Sequence, residues 1–168
     1  MKKTEKKIDA LALKVLTEAT NKADHFPILF NSLLRQKFIF RPYAYAIEHF
    51  GYDREKYVST FGDAFAFYDE VEDCYCIFYN EKCSDSRRLN WHIVHEIGHI
   101  EACHLNKRDF IPKSIRTSDL EKEAEYFSHS ALAPDIILDA INLQSQEELF
   151  NICYLPEDKS QIKYQKFR

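Results

Sequence analysis

The chain has 168 residues, a length that fits a single domain over residues 1–168 with its own hydrophobic core. Hydrophobic residues make up 45% and charged residues 30%, which is a globular composition and excludes a largely disordered chain. The formal net charge of −4 argues against a surface built mainly for phosphate backbones, so we expect no direct nucleic-acid partner.

The sequence of the N-terminal third predicts helices before and after a single strand. Apolar residues recur at helical spacing near the N-terminus, and Pro27 suits the first turn of a further helix. Residues 43–60 do not favour one assignment, although their first half fits a short helix closed by Gly51. The predicted elements are a helix over 6–22, a helix over 27–36, a strand over 38–42 and this short helix over 43–50.

Two aromatic-rich runs in the middle of the chain predict an antiparallel hairpin. They are Ala64–Tyr68 and Cys74–Tyr79, and the acidic segment 69–73 between them suits a turn. Helices dominate the remainder, so we expect an α+β fold with a small antiparallel sheet. The predicted helices are 87–105, capped by Ser84 or Asp85, then 119–132, which stops before Pro134, and a tail of 135–142, 146–153 and 157–166.

The cysteines indicate the compartment. Their number is odd and their spacing does not fit a secreted disulfide framework, so we expect reduced thiols and a cytoplasmic protein. We also expect neither a targeting segment nor a membrane span, because no run approaches the ~18 apolar residues that a span requires. A thiolate metal site is disfavoured because no second pair of closely spaced cysteines exists. The five cysteines are Cys74, Cys76, Cys83, Cys103 and Cys153.

The segment His95-Glu96-Ile97-Gly98-His99 lies within a predicted helix and predicts a zinc site. Histidines four residues apart project from one helical face, as two ligands of one tetrahedral zinc require. The neighbouring glutamate is displaced round the helix, where it can accept a proton from water instead of binding metal. Gly98 is unfavourable inside a helix, so we expect another backbone or a substrate to approach it closely. The alternative, two surface histidines, is disfavoured by the apolar residues around them.

The third ligand is expected on the helix over 119–132. Helical projection places Glu121 and Glu125 at the edge of its buried face and turns Glu123 further towards solvent. Glu121 could instead close a capping box with Ser118, because Ser-x-x-Glu is typical of that motif. Periodicity does not choose between these roles.

Two stretches carry a resemblance to a known family. The first is segment 88–99, and the second begins with Glu121-Lys122-Glu123-Ala124-Glu125-Tyr126-Phe127 and ends with Ala131-Leu132-Ala133-Pro134. They resemble the HExxH helix and the E-x-E-A-[ND]-x-F-A…L-L-M-P helix of ImmA/IrrE-type metallopeptidases. The chain departs from that pattern at Glu125, where Asn or Asp is usual, and at Ser128-His129, where small apolar residues are usual.

The resemblance implies a zincin-like, gluzincin-type zinc peptidase. His95, His99 and Glu121 would bind Zn²⁺, and Glu96 would act as the general base. Glu125 would take a position that can orient a ligating histidine. An electrophile for the oxyanion is expected but not assigned. Its weak candidates are His92, Tyr126 and His129, the last favoured as a surface or packing residue.

The resemblance also implies a substrate, namely a helix–turn–helix repressor of a phage or mobile element. Two other functions remain open. A non-catalytic protein of this fold would bind and sequester a regulator, and a housekeeping peptidase would degrade many unfolded proteins. The presence of Glu96 favours an enzyme, because zinc binding alone does not require it.

Overall fold

The structure is a computed structural model that describes residues 2–20, 38–105 and 117–168. The helix predicted over 27–36 lies outside these residues. None of the described helices is both long and apolar enough to span a membrane. The described helices are α1 (Lys2–Thr20), α2 (Tyr43–Phe50), α3 (Arg54–Phe61), α4 (Ser86–Glu101), α5 (Ser118–Leu132), α6 (Asp135–Ala140), α7 (Gln146–Cys153) and α8 (Glu157–Phe167), and the strands are β1 (Phe38–Pro42), β2 (Ala64–Asp69) and β3 (Cys74–Tyr79).

The described sheet is mixed, with the strand order β1-β3-β2. Strands β2 and β3 form the predicted antiparallel hairpin, in which Ala66 lies opposite Ile77. The prediction of an antiparallel sheet is wrong for β1, which runs parallel to β3 with Phe40 opposite Ile77. The chain passes through α2, α3 and β2 before it reaches β3, and this long connection permits parallel pairing. Strand β2 is thus an edge strand among the described residues.

The two faces of the sheet pack on different layers. Ala64, Ala66 and Ile77 join the main core, which also contains α1, α4, α5 and the C-terminal helices. Phe65 and Phe78 face the other way and stack with ring centroids 5.2 Å apart, inside an aromatic cluster covered by α2 and α3. The alternation of small and aromatic residues along β2 follows from this, because successive strand side chains point to opposite faces.

Most predicted helices form within the described residues with differences at their ends, and one further helix is present. Helix α2 ends at Gly51, whose φ of +78° gives the expected left-handed closure. Helix α3 was not predicted, although the Asp53 carboxylate accepts a hydrogen bond from the Lys56 N–H at 2.7 Å and caps it. Helix α4 starts after its predicted cap, Asp85, but ends at Glu101 and not at Leu105.

Helix α4 ends in a Schellman motif, which explains the four-residue error. The Cys103 N–H donates to the Ile100 carbonyl at 3.0 Å, and the His104 N–H donates to the His99 carbonyl at 2.8 Å. Cys103 adopts the left-handed conformation, with φ of +59°. Glycine usually occupies that position because a side chain there costs roughly 1 kcal/mol or more. Without a glycine, the sequence did not indicate where the helix ends.

Helices α4 and α5 make a close contact at Gly98. A Cβ atom at this residue would lie 3.0 Å from Cδ1 and 3.1 Å from Cβ of Phe127, which is itself fully buried. The glycine therefore accommodates a side chain of the neighbouring helix. The expectation of an approaching backbone or substrate was wrong, because helix periodicity does not reveal which residue of another helix will face a given position.

We predict that Gly98→Ala lowers the free energy of unfolding by about 1 kcal/mol. Crowding against Phe127 costs roughly 1–3 kcal/mol and outweighs the ~1 kcal/mol that alanine gains in helix propensity. Urea unfolding of Gly98→Ala, Phe127→Leu and the double variant measures the coupling between the two positions. The same change should cost less in the Phe127→Leu background, whereas strictly additive losses would contradict this explanation of the glycine.

Candidate metal centre

Two helices bring three ligand-type side chains together. Helix α4 supplies His95 and His99 one turn apart, and α5 supplies Glu121 from its first turn. Their ligand-type atoms all lie within 4.8 Å of one another. Within the described parts of the chain, no other set of three or more His, Cys, Asp or Glu side chains is arranged to hold a metal ion.

The distances suit one tetrahedral ion. His95 Nε2 lies 3.1 Å from both His99 Nε2 and Glu121 Oε2, and His99 Nε2 lies 3.3 Å from Glu121 Oε1. With zinc–ligand bonds near 2.0–2.1 Å, neighbouring ligand atoms of a tetrahedron are separated by about 3.3 Å. The two nitrogens are spaced in this way, and the carboxylate turns a different oxygen towards each of them. Two imidazole nitrogens and one carboxylate also form a donor set that leaves a fourth position for water. The residues therefore fit a zinc ion.

The electrostatics favour an ionised Glu121. Burial by itself raises the pKa of this carboxyl, but hydrogen bonds from His95 and His99, and the charges these rings carry when protonated, lower it further. The net pKa lies below the usual range of a glutamate. An anionic oxygen is thus held beside the two imidazoles, which is the state in which a carboxylate binds a cation.

Glu96 lies on the side of α4 that faces the sheet. Its side chain is almost fully buried, and Oε2 accepts a hydrogen bond from the backbone N–H of Ala66 at 3.0 Å. That N–H belongs to edge strand β2 and points away from β3, as alternate N–H groups of an antiparallel strand do. The glutamate is therefore held between the histidine helix and the edge of the sheet.

The capping-box interpretation of Glu121 is wrong. Thr117 is the residue that caps α5, through a long hydrogen bond of 3.5 Å from the Leu120 N–H to its hydroxyl. This leaves the Glu121 side chain turned towards His95 and His99. Thr117 and Ser118 are both residue types that cap helices, and the sequence does not indicate which of them caps α5. With the cap at Thr117, Glu121 is one residue beyond the capping-box position.

The family model described as Peptidase_M78, IrrE N-terminal-like domain, matches residues 44–158, more than half of the chain. The chain belongs to this family. The sequence resemblance to ImmA/IrrE-type proteins is thereby confirmed, and the family is of the metallopeptidase type. Neither a curated protein nor a solved structure matches the chain. The matched range contains the hairpin, α4 and α5, which are the elements that surround the three ligand-type side chains.

Among the described residues of this Peptidase_M78 domain, the side chain of Glu125 bonds to a lysine and not to a histidine. Its Oε1 atom accepts a hydrogen bond from Lys159 Nζ of α8 at 2.6 Å. The family resemblance implied that this residue could orient a ligating histidine, but its carboxylate is turned towards the C-terminal helix. His104, which follows the end of α4, lies 3.0 Å from His99, and Glu123 lies 3.0 Å from His104. Sequence reasoning missed this pair because it placed His104 inside the helix and Glu123 towards solvent.

The three candidates for an oxyanion electrophile differ in position. Tyr126 donates its hydroxyl hydrogen to Asp9 of α1 at 3.1 Å, which ties it to the N-terminal helix. His129 is buried against Trp91, with ring centroids 4.7 Å apart, so it is a packing histidine. His92 is partly exposed and lies 3.7 Å from Asp63, at the residue that precedes β2.

We predict that His129 makes the domain sensitive to mild acid. Burial, followed by the charges of Lys163, Lys166 and Lys159, lowers its pKa to about 3. The unfolded chain binds a proton below pH ~6.5 and the folded chain does not, so stability falls as the pH decreases from 6.5 towards 3. From pH 7.5 to pH 5 the loss from this residue is about 2 kcal/mol.

Urea unfolding with chelator at both pH values measures this loss. Wild type and His129→Leu share all other titrating groups, so the difference between their losses isolates the histidine. His129→Leu should lose about 2 kcal/mol less than wild type. Equal losses would show that His129 does not contribute to the acid sensitivity.

Proposed function

We propose that this chain is a zinc-dependent endopeptidase with a zincin-like fold. The proposal rests chiefly on one observation, the convergence of His95, His99 and Glu121 with three separations of 3.1–3.3 Å. Membership of a peptidase family supports it. Zinc bound by these three side chains would polarise the scissile carbonyl and make a coordinated water more acidic.

Glu96 is the proposed general base. As a carboxylate it accepts the proton of the attacking water and afterwards donates it to the leaving amine. Its hydrogen bond from the Ala66 N–H fixes the orientation of the carboxylate relative to both the histidines and the sheet. Glu96 does not belong to the group of converging ligand-type side chains, because its side chain leaves α4 in a different direction from those of His95 and His99.

The edge of β2 is the proposed substrate track. The antiparallel pattern that turns the Ala66 N–H outwards also turns the backbone groups of Ala64 and Tyr68 towards this edge. An extended peptide can pair with such an edge, and it would then pass Glu96. The substrate must accordingly offer a flexible segment, because a helix or a folded strand cannot add to the sheet in this way.

We predict that Glu96→Gln retains zinc and the fold but loses peptide hydrolysis by about 10²-fold or more. Glutamine still accepts the Ala66 hydrogen bond, so the change removes only the proton acceptor. His95→Ala, by contrast, should lose the metal and the activity together. Metal analysis by mass spectrometry, circular dichroism and a cleavage assay measure the three properties. Full activity of Glu96→Gln would contradict the proposed mechanism.

We further propose that the natural substrate is a helix–turn–helix repressor encoded near this protein, as in a phage or mobile element. This step is supported by the resemblance of segments 88–99 and 121–134 to ImmA/IrrE-type metallopeptidases. The described structure adds a physical condition, which is an extended and accessible cleavage segment in the target. Specificity for one target would then depend on which segment can reach the edge of β2.

The decisive assay mixes the zinc-loaded protein with the neighbouring repressor and follows fragments by mass spectrometry. Wild type should produce one or a few discrete fragments, whereas Glu96→Gln and chelator-treated wild type should produce none. A panel of unrelated unfolded proteins is the control and should stay intact. General degradation of the panel would favour the housekeeping peptidase, and a stable complex without fragments would favour sequestration of the repressor.

A further inference from the structure

A series of hydrogen-bonded side chains connects the proposed metal centre to the protein surface. His99 uses Nε2 towards His95 and Glu121, while its Nδ1 lies 3.0 Å from His104 Nδ1. His104 Nε2 in turn lies 3.0 Å from Glu123 Oε2. His99 is fully buried, the side chain of His104 is 5% exposed and that of Glu123 is 35% exposed. The hydrogen-bonded series therefore ends at a partly solvated carboxylate.

The backbone is arranged to place His104 against His99. The Schellman motif bonds the His104 N–H to the His99 carbonyl at 2.8 Å, so the same two residues meet through backbone and side chains. The turn requires a left-handed residue, and Cys103 adopts that conformation at an energetic cost that glycine would avoid. Non-glycine strain of this kind persists where surrounding contacts hold it, and here the contact is with a proposed ligand.

The geometry permits one order of protons if His99 Nε2 is a ligand. A ligating nitrogen needs its lone pair, so the ring proton of neutral His99 is on Nδ1 and is donated to His104 Nδ1. His104 then accepts at Nδ1 and must carry its own proton on Nε2. That N–H donates to Glu123, whose carboxylate can only accept. Glu123 thus selects, through His104, the tautomer of His99 that presents Nε2 to a cation.

We infer that His104 and Glu123 are positioning residues, which hold His99 in its metal-binding tautomer and orientation. The inference rests on the proposed zinc centre and adds two residues to it. Removing such hydrogen-bond partners typically weakens metal binding about 10- to 100-fold without removing a ligand. We expect losses of this size for Glu123→Leu and for His104→Phe. The double variant should lose no more zinc affinity than the weaker-binding single variant, because both changes interrupt the same series of hydrogen bonds.

Glu125 provides a matched control on the same helix. It is also a partly buried glutamate, but its carboxylate bonds to Lys159 and not to a histidine. Glu125→Leu therefore removes the same charge and volume two residues away, and zinc affinity should remain at the wild-type value. Glu123→Gln keeps an acceptor oxygen for His104, so its affinity should lie between those of wild type and Glu123→Leu.

The experiment measures zinc dissociation constants by competition with a chromophoric chelator for these variants. In parallel, nitrogen-15 NMR of the histidine rings of metal-free wild type should show His104 protonated on Nε2, and Glu123→Leu should shift it towards a mixture of tautomers. If Glu123 had only a structural role, Glu123→Leu would change neither the tautomer of His104 nor the zinc affinity relative to Glu125→Leu. Thermal unfolding of each metal-free variant verifies that the fold is retained.

Two outcomes would overturn the inference, and they differ in what else they affect. If wild type binds zinc tightly, His95→Ala does not, and Glu123→Leu binds as tightly as Glu125→Leu, the positioning role is wrong and the metal centre stands. If wild type binds zinc no better than His95→Ala, the proposed metal centre fails and the positioning role fails with it.

Discussion

The contact between Gly98 of α4 and Phe127 of α5 sets the spacing on which the candidate metal centre depends. A Cβ atom at position 98 would lie 3.0 Å from the phenylalanine ring, so the two helices approach as closely as a glycine allows. His95 and His99 lie on one of these helices and Glu121 on the other. Because side chains are attached to rigid helices, the separations of 3.1–3.3 Å among their ligand-type atoms follow from this packing.

The sheet contributes to the site through a single strand. Ala66 occupies the face of β2 that packs on α4, and its small side chain lets the histidine helix come close enough for Glu96 to accept the Ala66 N–H. Phe65, on the opposite face, anchors the same strand in the aromatic cluster under α2 and α3. The edge proposed for substrate is therefore held from both sides, and the proposed base is bonded directly to it.

Three glutamates of α5 contact three different neighbours. Glu121 faces the two histidines, Glu123 faces His104, and Glu125 faces Lys159 of the C-terminal helix. Residues two apart on a helix point about 200° from one another, so Glu123 projects away from the other two. Glu121 and Glu125 are four residues apart and lie on one side of the helix, but they are one turn apart along its axis and so reach different neighbours. One of them completes the candidate metal centre, one supports a proposed ligand, and one attaches the tail of the chain.

The sequence by itself determined the hairpin, most helices, the family and the pairing of His95 with His99, because these depend on local periodicity and short motifs. The tertiary structure decided the direction of β1, the partner of Gly98 and the neighbours of Glu121, Glu123 and Glu125. Each of these depends on what faces a residue from a distant part of the chain, which periodicity does not specify. His104 illustrates the difference most clearly. Its place beside His99 depends on where α4 ends, and Cys103 forms that helix end in the left-handed conformation. A glycine at this position would have allowed the turn to be predicted from the sequence.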